Sequence, residues 1–94
     1  MHARSKTFKL APAKMNKAVS AFKKSHLRQY KAQKGYKGVT LLGDRTSGRV
    51  RMISHWDNKT HLAASAKLCA DAAKTLRATG GASGRTTNDE WEVL

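Results

Sequence analysis

Residues 54–61 read SHWDNKTH, which puts a serine, two histidines, a tryptophan, an aspartate and an asparagine within eight positions. These residue types supply a nucleophile, a general base and metal ligands. Their spacing argues for architecture instead. His55 and His61 are six apart across the junction of a period-2 run and a period-3.6 run, and no Cys or Glu completes a ligand set, so no metal is expected. Neighbouring strand residues face opposite sides, so His55 points away from Trp56. Asp57 and Asn58 stand where a helix needs a side-chain cap. The stretch reads mainly as a strand running into a helix, with Trp56 on the core parity of the strand.

A second candidate lies upstream. Met15, Val19, Phe22, His26 and Tyr30 recur at spacings of 3 and 4, the apolar stripe of a helix. On such a stripe His26 is first a core histidine with a satisfied ring nitrogen. If it lines a pocket, burial tunes its titration and makes it a general base. His26 as base and Trp56 as an aromatic wall are the candidate catalytic pair. Phe22, Tyr30, Met52 and Ser54 are the candidate pocket lining, with Tyr30 placed to orient a phenolic substrate. Cys69, the only cysteine, falls on a buried helix stripe and is expected to be inert.

The elements that must position these residues follow from periodicity. In residues 2–10, Ala3, Ser5 and Thr7 take one parity, and Arg4, Lys6, Phe8 and Leu10 the other, as in a strand. Pro12 opens a helix near its first turn, where a missing N–H costs nothing. The stripe from Met15 to Tyr30 runs about four turns, and Gly35 stops it. Val39–Leu42 form a strand and GDRTSG a turn. Val50, Met52, Ser54 and Trp56 then share one parity of the next strand, opposite Arg49, Arg51, Ile53 and His55, which makes a hairpin. The second helix begins at Asp57 or Asn58, buries Leu62, Ala66, Cys69, Ala73 and Leu76, and ends at Gly80 and Gly81. GGASGR reads as a flexible loop and DEWEVL as a closing strand.

The order β-α-β-β-α-β is the ferredoxin-like α+β arrangement, one domain over residues 1–94. Right-handed crossovers place both helices on one face of a four-stranded antiparallel sheet. The other face is bare. A chain this short gains stability by oligomerisation, and two bare faces packed together close a barrel, so a homodimer is expected.

Charge is the anomaly. Nineteen Lys and Arg oppose six acids, a net +13, and eleven of those bases precede the first acid, Asp44. Lys17, Lys24 and Lys31 follow one another at i+7 on the side of the first helix opposite its apolar stripe. With Lys14 they form the candidate polyanion-binding set. Such a field holds nucleic acid through phosphate neutralisation and counterion release. Lys67 and Lys74 repeat the pattern on the second helix, and a surface deliberately loaded with charge on an ordinary scaffold would look the same. RNA-recognition domains share this element order, but GRVRMISHW lacks their aromatic signature, so any nucleic-acid binding is expected to be unspecific. No run of 18 apolar residues exists to span a membrane, and MHARSKTFKL has no apolar stretch of signal-peptide length. A lone cysteine fits a cytoplasmic protein.

Nearly the whole chain resembles the antibiotic-biosynthesis-monooxygenase-like domains, the dimeric α+β barrels. ARSKTF resembles their first strand. QKGYKGVTLLGDRTSGRVRMISHWDN resembles their glycine-rich entry, strand, Asp-Arg-x-x-Gly hairpin, and strand ending in Trp and an acid. HLAASA resembles the start of their second helix and EWEVL their last strand. The resemblance implies a homodimer with a pocket between helices and sheet in each subunit and Trp56 at its edge. Some such proteins oxidise aromatic polyketides with O₂, without metal or flavin, and others degrade haem. This chain departs from both catalytic sets. Met52 stands where the polyketide oxygenases carry an asparagine and Leu62 where they carry a tyrosine; Ala66 stands where the haem-degrading branch carries a histidine.

Two functions follow as expectations. The first is a cofactor-independent monooxygenase acting on a small aromatic ligand, with His26 and Trp56 at its centre and an arginine such as Arg51 supplying positive charge. No cofactor is expected, since GGASGR follows a helix and makes a poor dinucleotide fingerprint. The alternative is a strongly basic scaffold, natural or engineered at its surface, that binds nucleic acid or other polyanions non-specifically.

Overall fold

The computed structural model describes residues 1–94. Strand β1 runs from His2 to Lys9. The parity of Arg4, Phe8 and Leu10 faces the helices: Phe8 and Leu10 lie in the core, and Arg4 donates from Nη2 to the Leu62 carbonyl at 3.0 Å. Pro12 opens a 3-10 turn, Pro12–Lys14, and the α-helix proper, α1, begins at Met15 and ends at Ser25.

The expected single helix is bent. His26 has φ −123° and ψ −25°, and α2 resumes over Leu27–Ala32. The hydrogen bond from His26 N to the Phe22 carbonyl (2.8 Å) closes α1, and that from Tyr30 N to the His26 carbonyl (3.0 Å) opens α2, with the regular ladder interrupted between them. The bend falls where the His26 ring meets the long helix after β3, His26 Nε2 lying 2.9 Å from Thr75 Oγ1.

Strands β2 (Tyr36–Gly43) and β3 (Arg49–Trp56) form the hairpin. Val50, Met52, Ser54 and Trp56 are all buried, as their shared parity demands. The Asn58 side chain then accepts from His61 N at 2.8 Å and caps α3, Lys59–Ala64.

The second helix also divides, at Ser65, before α4 runs from Ala66 to Gly80. The cause is local competition. The Leu62 carbonyl takes bonds from Arg4 Nη2, Ser65 N and Ser65 Oγ, the last at 2.6 Å, so it does not serve as the regular acceptor of the next turn. The division moves the stripe by one residue. Ser65 is buried, while Ala66, expected inside, is exposed. Gly81, at φ 63°, closes α4.

The closing strand is longer than DEWEVL. β4 spans Ser83–Glu92, so it takes in the second half of the expected GGASGR loop and leaves out Val93 and Leu94. Strand β1 offers it a free edge, and a register shift between Thr7 and Lys9 takes up the extra residues.

The four strands pair antiparallel in the order β2-β3-β1-β4. The helices cover one side, and the core lies between, built on Phe8, Phe22, Tyr30, Met52, Trp56 and Leu76. The ferredoxin-like α+β fold is as the element order requires. The opposite side of the sheet stays uncovered. No helix is long and apolar enough to cross a membrane.

Candidate functional site

β2 is an edge strand, bonded on one side only, to β3. Its helix-facing side chains, Val39 and Leu41, are therefore only half buried. Across from them stand Met15, Val19 and Phe22 of α1 and Leu27 of α2. The gap is an apolar cleft of about 460 Å³, with Lys23 and Arg45 among its polar lining. This lies within the usual size of a small-molecule site. Two cations at a mainly apolar cleft, with Asn16 and Thr40 also in its lining, favour an apolar ligand that carries, or develops, negative charge.

The expected site residues lie mostly behind this cleft. Phe22 lines it. Tyr30, Met52, Ser54 and Trp56 are sealed in the core, each at 2% exposure or less. An aromatic chain leads inward from the cleft wall: Phe22 to Tyr30 at 5.7 Å, Tyr30 to Trp56 at 6.3 Å, and Trp56 edge-on to Tyr36 at 6.1 Å.

Their polar atoms are satisfied from within. Trp56 Nε1 donates to Ser54 Oγ at 3.0 Å, Ser54 Oγ meets Cys69 Sγ at 3.7 Å, and the Tyr30 hydroxyl donates to Met52 Sδ at 3.8 Å. Burial, reinforced by the Cys69 thiol, pushes the Tyr30 phenol far above its ordinary range, so it stays neutral. His26 is nine-tenths buried, its ring 6.3 Å from that of Phe22. Its Nε2 is engaged by Thr75, and its Nδ1 has no partner.

The SHWDNKTH segment is bound up in architecture. Asn58 is the helix cap. Asp57 Oδ1 meets His61 Nδ1 at 2.6 Å, and that hydrogen bond is the main reason its carboxyl titrates below the usual range. The Asp57 backbone N–H donates to the Gly35 carbonyl at 2.9 Å, which ties the end of α2 to the start of α3. No three His, Cys, Asp or Glu side chains converge on a site for a metal ion.

Arg51 is on the uncovered side of the sheet, where its Nε donates to Thr7 Oγ1 at 3.2 Å. It shares no face with the cleft, so the cations available there are Lys23 and Arg45 instead. Sequence reasoning missed both, together with Leu27, Val39 and Leu41. The apolar parity of Val39 and Leu41 was visible, but not that the helix layer leaves room over the edge strand. Lys14, Lys17, Lys24 and Lys31 are all exposed, and none forms an ion pair. The one acid of the helix layer, Asp71, already pairs with Lys67 at 3.6 Å.

No family model and no curated protein matches this sequence. Solved structures do. A monooxygenase of Streptomyces coelicolor, in complex with nanaomycin D, has a TM-score of 0.76 at 15% identity, over 99% of this chain and 87% of that one. The chain has the fold of the antibiotic biosynthesis monooxygenases. Two more structures share the fold. SnoaB of Streptomyces nogalater, a cofactor-independent oxygenase, has a TM-score of 0.68 at 17% identity, over 99% and 92% of the two chains. A dimeric ferredoxin-like protein from an uncultured marine organism has 0.70 at 10%, over 99% and 87%. Identities this low carry the fold and leave the chemistry to the residues present.

Proposed function

We propose that this chain is a homodimeric small-molecule protein that takes a flat aromatic ligand in the α1–β2 cleft and oxidises it with O₂, as a cofactor-independent monooxygenase. The observation that carries the reading is the apolar cleft with Lys23 and Arg45 in its lining, on a fold shared with a cofactor-independent oxygenase. A phenol or anthrone suits this chemistry because its anion can itself reduce O₂. For an anthrone, the ring methylene becomes a carbonyl, one oxygen atom enters the product and the other leaves in water. The protein's part is to hold the ring dry and to favour the anion. Lys23 and Arg45 supply the positive field. His26 is the candidate base, behind the Phe22 wall, and Trp56 stiffens that wall from the core. The uncovered sheet side carries Trp91 and Leu42, 56% and 51% exposed, and is the surface through which two copies pair.

The test is oxygen uptake with a hydroxylated anthrone, on protein whose mass has been measured by sedimentation. A dimer with uptake above the spontaneous rate is expected. Val19→Trp or Leu41→Trp, each filling the cleft, should remove at least about nine-tenths of that excess, as expected when a bound geometry is lost. His26→Ala should reduce it. Uptake at the spontaneous rate, or cleft-filled variants as active as the parent, would reject the oxygenase reading; a clean monomer would reject the dimer.

A second reading rests on the unpaired lysines of the helix layer: a polyanion surface over Lys14, Lys17, Lys24 and Lys31. It predicts equal affinity for two DNA duplexes of unrelated sequence. With four phosphates neutralised, affinity should fall roughly a hundredfold between 50 and 200 mM salt. Sequence discrimination, or indifference to salt, would defeat it.

A further inference from the structure

The helix layer does not reach across the whole sheet. It rests on β1, β2 and β3, while every residue of β4 is exposed. The helix side of the sheet therefore keeps an open strip along the line where β1 meets β4. Lys6 stands on that line.

Lys6 alone among the twelve lysines is not exposed. It shares the helix-facing parity of β1 with Arg4 and Phe8. Core residue Met52 is opposite it on β3, and Asn88 is opposite it on β4. A lysine placed this way lays its stem along apolar surface and sends its amine toward the edge. The amine has no carboxylate partner there, since no ion pair includes Lys6. The acid that the register brings closest on that side is Glu90, a diagonal neighbour across the β1–β4 pair. Its Oε1 is already held by Arg4 Nη1 at 3.1 Å.

The surroundings of the amine disfavour its charged form. Burial of the side chain is the main cause and the Arg4 guanidinium the second, while the Cys69 thiol of α4 acts the other way. Together they hold Lys6 below the ordinary lysine range, so more of it is free amine near neutral pH. The free amine is a nucleophile and the ammonium is not.

Arg4 adds a preference for charge. Its side chain is buried, Nη2 is taken by the Leu62 carbonyl at 3.0 Å, and Nε has no partner. The one carboxylate on it belongs to the half-exposed Glu90, so its charge is not fully offset. A positive field beside a nucleophilic amine favours an anionic reagent over a neutral one.

We propose that Lys6 is a carbonyl-condensing amine that takes small 2-oxo acids, drawn by the Arg4 charge, as reversible imines. The Lys6 nitrogen adds to the oxo carbon and a C–N bond forms. The carbonyl oxygen leaves as water with the two protons the amine gives up, and no oxidation state changes. Glu90, on the strip beside Arg4, is the carboxylate placed to pass those protons. The site is on the helix side of the sheet, away from the surface through which two copies pair. It is also at the opposite edge of the sheet from β2 and its cleft, so it depends on neither the dimer nor the oxygenase reading.

Reductive trapping tests it. The protein is treated with glyoxylate and cyanoborohydride near neutral pH to an average of one label per chain, then digested and mapped by mass. Lys6 should carry the largest share of the lysine-bound label. The Met1 α-amine is counted separately, because its ordinary titration range lies below that of lysine. Lys6→Arg, which keeps the charge, should remove that share and leave the label on the other lysines unchanged. The map of the unmodified protein needs no variant. Label at Lys6 no greater than at Lys9, its exposed neighbour on the same strand, would overturn the site. Acetaldehyde is the neutral control: with it the ratio of Lys6 to Lys9 label should fall by about twofold or more, the scale of one partly exposed charge contact. An equal ratio with the two reagents would overturn recognition of the carboxylate.

Discussion

Replacing Trp56 by alanine is expected to cost about 3–5 kcal/mol of folding stability, the range for truncating a fully buried aromatic. Trp56 has no exposed surface. It packs against Tyr30 and Tyr36 and satisfies Ser54 Oγ through its indole N–H. Alanine leaves a cavity that this rigid surround cannot close, and removes the donor from a buried hydroxyl. Domains of this size hold only about 5–15 kcal/mol in total, so the variant should be near the limit of folding. Trp56→Phe keeps most of the volume and should cost about 1–2 kcal/mol, chiefly the lost indole N–H bond to Ser54 Oγ, which keeps only its weak contact with Cys69 Sγ. Urea unfolding of both variants is the measurement. A tryptophan that walled an open pocket would behave in the opposite way, with little loss of stability and a large loss of ligand affinity. That outcome for Trp56→Ala would remove the residue from the core and return it to the site.

The second large effect is at Gly48, in the β2–β3 turn. Its φ is +85°, and a Cβ there would run into the Leu10 carbonyl oxygen and lie 3.3 Å from Pro12 Cδ. Neither neighbour yields readily. Leu10 N donates to the Gly48 carbonyl at 2.8 Å, which fixes the two backbones against each other, and Gly48 N donates to the Asp44 carbonyl at 2.8 Å. Gly48→Ala therefore combines a disfavoured backbone conformation with a backbone collision. About 3 kcal/mol is expected, with a fall in Tm of about 10–20 °C for a domain of this length. Ser47→Ala, at the exposed neighbour whose Oγ accepts from Arg49 N at 3.2 Å, should cost no more than about 1 kcal/mol. Calorimetric scans of the pair compare them directly. Equal melting temperatures would mean that the turn relaxes away from Leu10 and that the hairpin is not locked to the end of β1.

The sequence by itself determined the order of elements, the face each strand turns inward and a helix cap at Asp57 or Asn58. These depend on short-range periodicity: Val50, Met52, Ser54 and Trp56 alternate because strand side chains alternate, and Asn58 caps because its side chain reaches the next turn's N–H. It also showed that the positive charge is concentrated in the first half of the chain, and that SHWDNKTH lacks the spacing of a metal site. Where the tertiary structure decided, the cause was a contact distant in sequence. The first helix bends at His26, where Thr75 of α4 holds its ring. The second divides at Ser65, where Arg4 of β1 and the Ser65 hydroxyl both take the Leu62 carbonyl. The strand after Gly81 starts early because β1 had an edge to give. The same holds for the sites. Phe22, Tyr30 and Trp56 were legible as one apolar set, but not which of them would border the cleft; only the reach of the helix layer over edge strand β2 puts the buried Phe22 at the cleft wall and Trp56 behind it. Lys6 and Glu90 are far apart along the chain, and only the register of β1 against β4 brings them to one side of the sheet.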